Sequence, residues 1–211
     1  MTLRWGAPSA GATADTYGVY RDGTLLENLE AGSSTFVDTT VLPEQEYEYL
    51  VRTLSKGVSS EDATVDVETP AAPLALARVA GTYDIRARTT SRSGYDDYPD
   101  QQTRAWSLKP RCKEGTCDVV WRDLAGKDQP IRLSRKGPSY RGSGSSRTFA
   151  LCQGVPATSS VDVALTVEKA KVVKGRWIAT RLTGTLHHAE SAQLGCGTSS
   201  IDLAVRAIRV G

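Results

Sequence analysis

Apolar and polar positions alternate residue by residue over most of this chain, and no stretch keeps a helical period for more than two turns. In the first third, Leu3-Arg4-Trp5 is a short strand ended by Gly6 and Pro8. Tyr17-Gly18-Val19-Tyr20 is a second strand that runs into Arg21-Asp22-Gly23. Asp-Gly beside an alternating segment signals a tight turn, because both central residues of such a turn need positive φ. Ser34 to Asp38 is the next short strand. Tyr47 to Leu54 puts Tyr47, Tyr49 and Val51 on one face and Glu48, Leu50 and Arg52 on the other, and Ala63 to Glu68 closes the unit. Prolines at 70 and 73 push the residues before them toward extended backbone. Residues 70–78 therefore read as a short, semi-rigid linker between a domain of residues 1–69 and another of residues 79–211.

The second domain alternates just as regularly. Ala80 to Arg88 sets Tyr83, Ile85 and Ala87 against Asp84, Arg86 and Arg88, and a loop rich in Ser, Gly, Asp and Tyr is expected from Thr89 to Gln102. Strands follow at Arg104–Leu108, Cys117–Arg122, Pro130–Leu133, Ser139–Arg141, Val161–Val167, Arg176–Leu182 and Ile201–Arg209, with turns at Lys136-Gly137 and Lys174-Gly175. About eight antiparallel strands joined by short turns make either an up-and-down barrel or a two-sheet sandwich. The barrel is favoured because closure removes exposed edges. The whole chain is read as all-β.

Taken in order, several features of the first third resemble the fibronectin type III domain over about residues 2–69. They are Trp5 with Pro8, Tyr17-x-Val19-Tyr20-Arg21-Asp22-Gly23, Phe36-x-Asp38-Thr39, Pro43-x-x-x-Tyr47-x-Tyr49-x-Val51-Arg52, Gly57-x-Ser59-Ser60 and Val65-x-Val67. The resemblance implies a Greek-key sandwich of two sheets. It makes Trp5 the core tryptophan of the second strand and Tyr47 the corner tyrosine whose hydroxyl bonds back to upstream backbone. The chain enters this pattern at its second strand, so the copy is truncated or takes an edge from elsewhere, and an open edge needs cover. The second domain resembles no named family.

Composition changes the picture in one respect. An apolar fraction of 39% in 211 residues is ordinary for a globular chain, and no run approaches the ~20 apolar residues of a membrane span. No charged-then-apolar leader follows Met1, so a secretory signal is expected to have been removed. The formal charge of +2, however, hides two halves of opposite sign. Through Pro73, four bases face 12 acids, a net of −8, and from Leu74 onward the remaining 22 bases face 12 acids, a net of +10. A basic second domain points to an anionic partner, unless the two surfaces are simply solvated.

All four cysteines lie in the second domain, at 112, 117, 152 and 196. The turn-like Lys113-Glu114-Gly115-Thr116 brings Cys112 beside Cys117, which leaves Cys152 to pair with Cys196. Two disulfides imply an oxidising compartment, hence a secreted or surface-exposed protein of bacterial type. A four-cysteine zinc site would need closer pairs.

Candidate chemistry is sparse. His187 and His188 are adjacent, and neighbours on a strand face opposite ways, so they do not serve one site together. His187-His188-x-Glu190 could hold a metal only in a loop, and no metal or cofactor is expected. Nucleophile-elbow, metalloprotease, phosphate-loop and N-glycosylation patterns are missing, and no catalytic residue is assigned. Tyr95, Asp96, Asp97, Tyr98 and Asp100 form a segment whose carboxylates could hold Ca²⁺ and whose rings could stack on sugars, although the alternating ligand order of a Ca²⁺ loop is lacking. Lys169, Lys171, Lys174, Arg176 and Arg181 surround one hairpin with Trp177 among them, and Arg135, Lys136, Arg141 and Arg147 lie elsewhere. Bases around an aromatic can track a phosphate backbone, but an extracellular, disulfide-bonded domain rarely meets nucleic acid. The expected function is therefore a secreted or cell-surface binding or adhesion module, not an enzyme, with an extracellular protein or an anionic glycan or cell-wall polymer as partner. The candidate contacts are Tyr95, Asp96, Asp97, Tyr98, Asp100, Lys171, Lys174, Arg176 and Trp177. The alternatives are a ligand-carrying barrel, which a lumen filled by Trp106, Trp121 and Trp177 would rule against, or an accessory domain of a secreted hydrolase.

Overall fold

A computed structural model describes residues 1–211 except 8–13, 57, 61, 95–96, 126–128, 153–154, 192–197, 211 and the side chains of 146–152, 155–158 and 191. The described residues form 15 β-strands and one 3₁₀ turn, with no α-helix. The chain divides into two compact units, Met1–Ala71 and Ala72–Gly211.

In the first unit, β1 (Thr2–Arg4) pairs with β4 (Thr35–Val37) in a two-stranded sheet. The second sheet runs β3 (Thr24–Glu30), β2 (Thr16–Arg21), β5 (Glu46–Ser55), with β6 (Val58–Ser59) and β7 (Ala63–Glu68) both pairing β5. Asp22 and Gly23, at φ 49 and 75, make the tight turn expected between β2 and its partner. That partner, β3, is a strand the alternation did not reveal. Its sequence Thr-Leu-Leu-Glu-Asn-Leu-Glu does not alternate, and β3 is an edge strand with no fully buried residue. Leu3, Val19 and Tyr49 form the core, flanked by Trp5, Phe36 and Tyr47. The Tyr47 hydroxyl accepts the Leu42 amide at 2.9 Å, which ties the approach to β5 back onto the strand.

A buried carboxylate links the two sheets of this unit. Asp38, just after β4, accepts from Arg21 Nη1 at 2.6 Å and from the Tyr49 hydroxyl at 2.8 Å, both on the opposite sheet. Its other oxygen accepts the Thr40 amide and hydroxyl at 2.8 and 2.6 Å. Burial opposes its charge, but the Thr40 and Tyr49 hydrogen bonds and the Arg21 charge outweigh burial and hold its carboxyl at about 2. Burial, together with the hydrogen bond to Asp38, pushes the Tyr49 phenol up to about 12.

The second unit is a closed eight-stranded barrel. Its strands are β8 (Gly81–Ser93), β9 (Gln101–Pro110), β10 (Val119–Asp123), β11 (Ile131–Lys136), β12 (Ser139–Cys152), β13 (Val155–Val173), β14 (Arg176–Ser191) and β15 (Ser199–Arg209). Each pairs antiparallel with the next, and β15 pairs with β8 to close the ring. Closure accords with the alternation: a ring buries the apolar faces of its strands without leaving an edge. The expected Thr89–Gln102 loop is shorter than its composition suggested. β8 continues through Ser93 and β9 starts at Gln101, because pairing to β15 and to each other compensates for their polar side chains.

The lumen is filled with side chains. Trp106 and Trp121 are fully buried and meet edge to face, ring centres 5.3 Å apart, within a cluster that includes Tyr83, Leu108, Leu133 and Leu182. One end of the barrel carries the short β11–β12 and β13–β14 turns, and the segment entering the barrel covers it. The 3₁₀ turn Leu74–Leu76 leads to Ala77 and Val79, both buried, with Arg78 between them bridging to Ile178. The Arg78 guanidinium donates to Gly115 O at 2.6 Å and to Cys112 O at 2.7 Å. It thereby staples the entry segment to the loop closed by the Cys112–Cys117 disulfide. The Cys152–Cys196 pairing falls outside the described residues.

Candidate functional site

Topology sorts the charged side chains of the barrel by end. The tight-turn end holds the β9–β10 loop with its disulfide, the β11–β12 turn and the β13–β14 turn. Ser139, at the start of β12, pairs with Thr166, so β13 runs on to Val173 as a hairpin beyond its neighbour. Lys174 and Gly175, at φ 49 and 71, form the hairpin turn, again the pair of positive φ values a tight turn requires. Lys171, Lys174 and Arg176 are exposed around it, and Lys169 joins them at an irregularity in β13. Lys136 comes from the β11–β12 hairpin, and Lys109, Arg111 and Lys113 from the β9–β10 connection, all exposed at the same end. The sequence reading missed this last trio, because only barrel order brings two connections distant in sequence to one rim.

Of the acids at this end, Glu114 is exposed beside Lys113, and Asp118 and Glu168 lie against arginines. Asp118 accepts from Arg132 Nη2 at 2.6 Å and from the Arg135 amide at 2.9 Å, and these two groups hold its carboxyl below the usual carboxylate range. Glu168 lies 3.5 Å from Arg181 and 3.7 Å from Arg206. Trp177 does not join the basic rim as an exposed ring. It is half-buried and packs on the barrel core. Arg135 is half-buried and donates to Ala75 O, Arg141 is exposed near the start of β12 opposite Ala164, and the Arg147 side chain is outside the described set.

The opposite end carries the longer connections. Of the tyrosine and aspartate segment, Tyr95 and Asp96 lie outside the described residues, and Asp97 is exposed. Asp100 pairs with Arg92 at 2.7 Å. Tyr98 packs against the barrel core, and its hydroxyl accepts from Gln102 Nε2 at 2.7 Å and from Arg104 Nη2 at 3.1 Å. Arg104 in turn pairs at 2.8 Å with Asp123, whose side chain is fully buried. Tyr98 is half-buried, with its ring against the core and its hydroxyl on Gln102 and Arg104.

At this end of the barrel, the ends of β13, β14, β15 and β8 frame an open cleft of about 570 Å³. His187 and His188 sit on β14, not in a loop. His188 shares the core-facing side with Val161 and Ile201, and His187 faces outward opposite Asp162 and Asp202. His187 Nδ1 lies 2.6 Å from Asp202 Oδ1. The next outward row is Ser160, Ala189, Ser200 and Ser93, opposite one another in register. Glu190 also lines the cleft, and its Oε2 accepts from Ser199 Oγ at 3.3 Å. No three metal-ligating side chains converge among the described residues. Among the same residues no helix is long and apolar enough to cross a membrane.

In comparisons with known proteins, no protein-family model, no curated protein and no solved structure matches the chain.

Proposed function

We propose that the chain is a non-catalytic recognition module of a secreted or cell-surface protein, and that its barrel takes an anionic glycan or cell-wall polymer at the tight-turn end. The observation carrying this reading is the basic rim. Lys109, Arg111, Lys113, Lys136, Lys171, Lys174 and Arg176 come from three connections to one end, all of them exposed. Concentrated charge of one sign raises the local concentration of a polyanion and speeds its capture. The filled lumen favours surface recognition over carriage of a small ligand inside the barrel. The Cys112–Cys117 disulfide accords with an oxidising compartment. For the first unit, the pairing order β3-β2-β5 with β7, the separate β1–β4 pair and the Tyr47 hydroxyl bond are what a fibronectin type III-like spacer or adhesion module would have.

The test is retention of the full chain on immobilised polygalacturonate, a uronate polymer, with neutral dextran as control. Retention should weaken steeply as salt rises, because exposed charges are screened over about 10 Å at 0.1 M. The triple variant Lys113→Glu, Lys171→Glu, Arg176→Glu should bind at least about tenfold more weakly at low salt. These side chains are exposed and flank turns, so the fold should hold. Equal retention of the triple variant, or equal retention on dextran, would overturn the proposal.

A further inference from the structure

The outer wall of the barrel carries a grouping of its own, away from both ends. On β8, Ile85 and Ala87 are buried, so Arg86 between them faces outward, and on β15 Val205 and Ala207 do the same for Arg206. Both arginines are exposed and directly opposite each other in register. The flanking strands place Thr183 opposite Arg206 and Thr103 opposite Arg86. One outward row therefore reads Thr183, Arg206, Arg86, Thr103 across β14, β15, β8 and β9. Arg88, exposed and two positions along β8, adds a third guanidinium beside it. Opposed residues on neighbouring strands have Cβ atoms about 4.5–5.5 Å apart, and like charges there are destabilising. The acids nearby do not cancel this charge. Glu168 Oε1 lies 3.7 Å from Arg206 and is shared with Arg181 at 3.5 Å. Among the described residues no ion pair engages Arg86 or Arg88, although Asp84 is exposed two positions before Arg86 on the same face.

We infer that this row binds a phosphate monoester. A guanidinium is a planar fork of N–H donors that matches phosphoryl oxygens in pairs, so one phosphoryl group between Arg86 and Arg206 replaces their repulsion with charge-assisted hydrogen bonds. Thr103 and Thr183 offer hydroxyl donors from the two sides of the pair. A phosphate monoester is close to doubly charged above pH 7 and so matches two cations, whereas a sulfate ester brings one negative charge. The row shares no residue with the basic rim, so either site can fail without the other.

The experiment is a ¹⁵N–¹H correlation titration of the full chain with phenyl phosphate above pH 7, with phenyl sulfate as the singly charged arm. Phenyl phosphate should shift amides around Arg86, Thr103, Thr183 and Arg206, and phenyl sulfate should bind at least about tenfold more weakly. Arg86→Gln and Arg206→Gln should each weaken phenyl phosphate at least about tenfold. Both positions are exposed, so either variant tests the row if the other does not fold. Arg122→Gln removes the same charge from an exposed position on β10, opposite Ser107, and should leave the affinity unchanged. The triple rim variant should keep the shifts around Arg86 and Arg206, which separates this site from the rim. Shifts confined to other regions, no shifts up to the solubility limit of phenyl phosphate, equal binding of phenyl sulfate, or equal losses in Arg86→Gln and Arg122→Gln would each refute the inference.

Discussion

Replacing Asp38 by Asn tests the polar link between the two sheets of the first unit. Asp38 is 3% exposed and accepts four hydrogen bonds, from Arg21, Tyr49 and two groups of Thr40. Asn keeps one acceptor oxygen and turns an NH₂ toward donors that had been satisfied. At about 1–1.5 kcal/mol for a neutral bond and more for the one to Arg21, the loss is about 3 kcal/mol. A domain of this size melts about 4–8 °C lower per kcal/mol, so the first unit should melt more than about 10 °C lower. The charge adds a pH signature. A carboxyl held at about 2, against an ordinary value of 3.8, contributes about 2 kcal/mol of stability. Because the folded value is the lower one, that contribution is complete above the ordinary carboxylate range and disappears as pH falls through about 2. The wild-type first unit should therefore weaken between pH 4 and pH 2, and the Asn variant should lose this part of the pH dependence. Hydrogen–deuterium exchange read by mass spectrometry isolates the effect, with β2 and β5 peptides as reporters and barrel peptides as the internal reference. Protection in β2 and β5 changed by less than about 0.5 kcal/mol, or an undiminished acid sensitivity in the variant, would refute the reasoning.

Two further predictions concern backbone packing and like charges. A Cβ added at Gly184 in β14 would lie 1.9 Å from the carbonyl oxygen of Ala164 on β13, so Gly184→Ala must displace main chain. It should cost about 2–3 kcal/mol in barrel unfolding by denaturant; an unchanged midpoint would refute the clash. On the outer face of the first unit Glu46 is directly opposite Glu68, and Glu48 opposite Asp66. Glu68→Lys should stabilise that unit by a few tenths of a kcal/mol at low salt, an increment that shrinks in 1 M salt and is read from the denaturant midpoint.

Much of the architecture can be read directly from the alternation. Tyr83-x-Ile85-x-Ala87 and Val161-x-Val163-x-Leu165 place their core faces without any tertiary information, because a strand has a side-chain period of two. The Asp22-Gly23 and Lys174-Gly175 turns are equally local, since few residue pairs accept two successive positive φ values. β3 escaped notice because an edge strand need not alternate, and the extension of β8 to Ser93 because polar side chains there are held by backbone pairing. Composition made Tyr98 look like a ligand contact. In the structure its hydroxyl accepts from Gln102 and Arg104, both within six residues of it, and its ring packs on the barrel core, a contact that the local sequence does not reveal.

The chain by itself thus determined which residues face inward, where the tight turns fall and that the two halves carry opposite charge, since each of these depends on neighbours in sequence. Only the tertiary structure decided that eight strands close into a ring, and with it which side chains share each end. Closure sets the order of strands around the axis. That order gathers lysines and arginines from residues 109 to 176 at one end, and puts His187 beside Asp202 and a row of serines at the other. Such groupings depend on which strands become neighbours, and this is fixed when all the apolar faces are buried together.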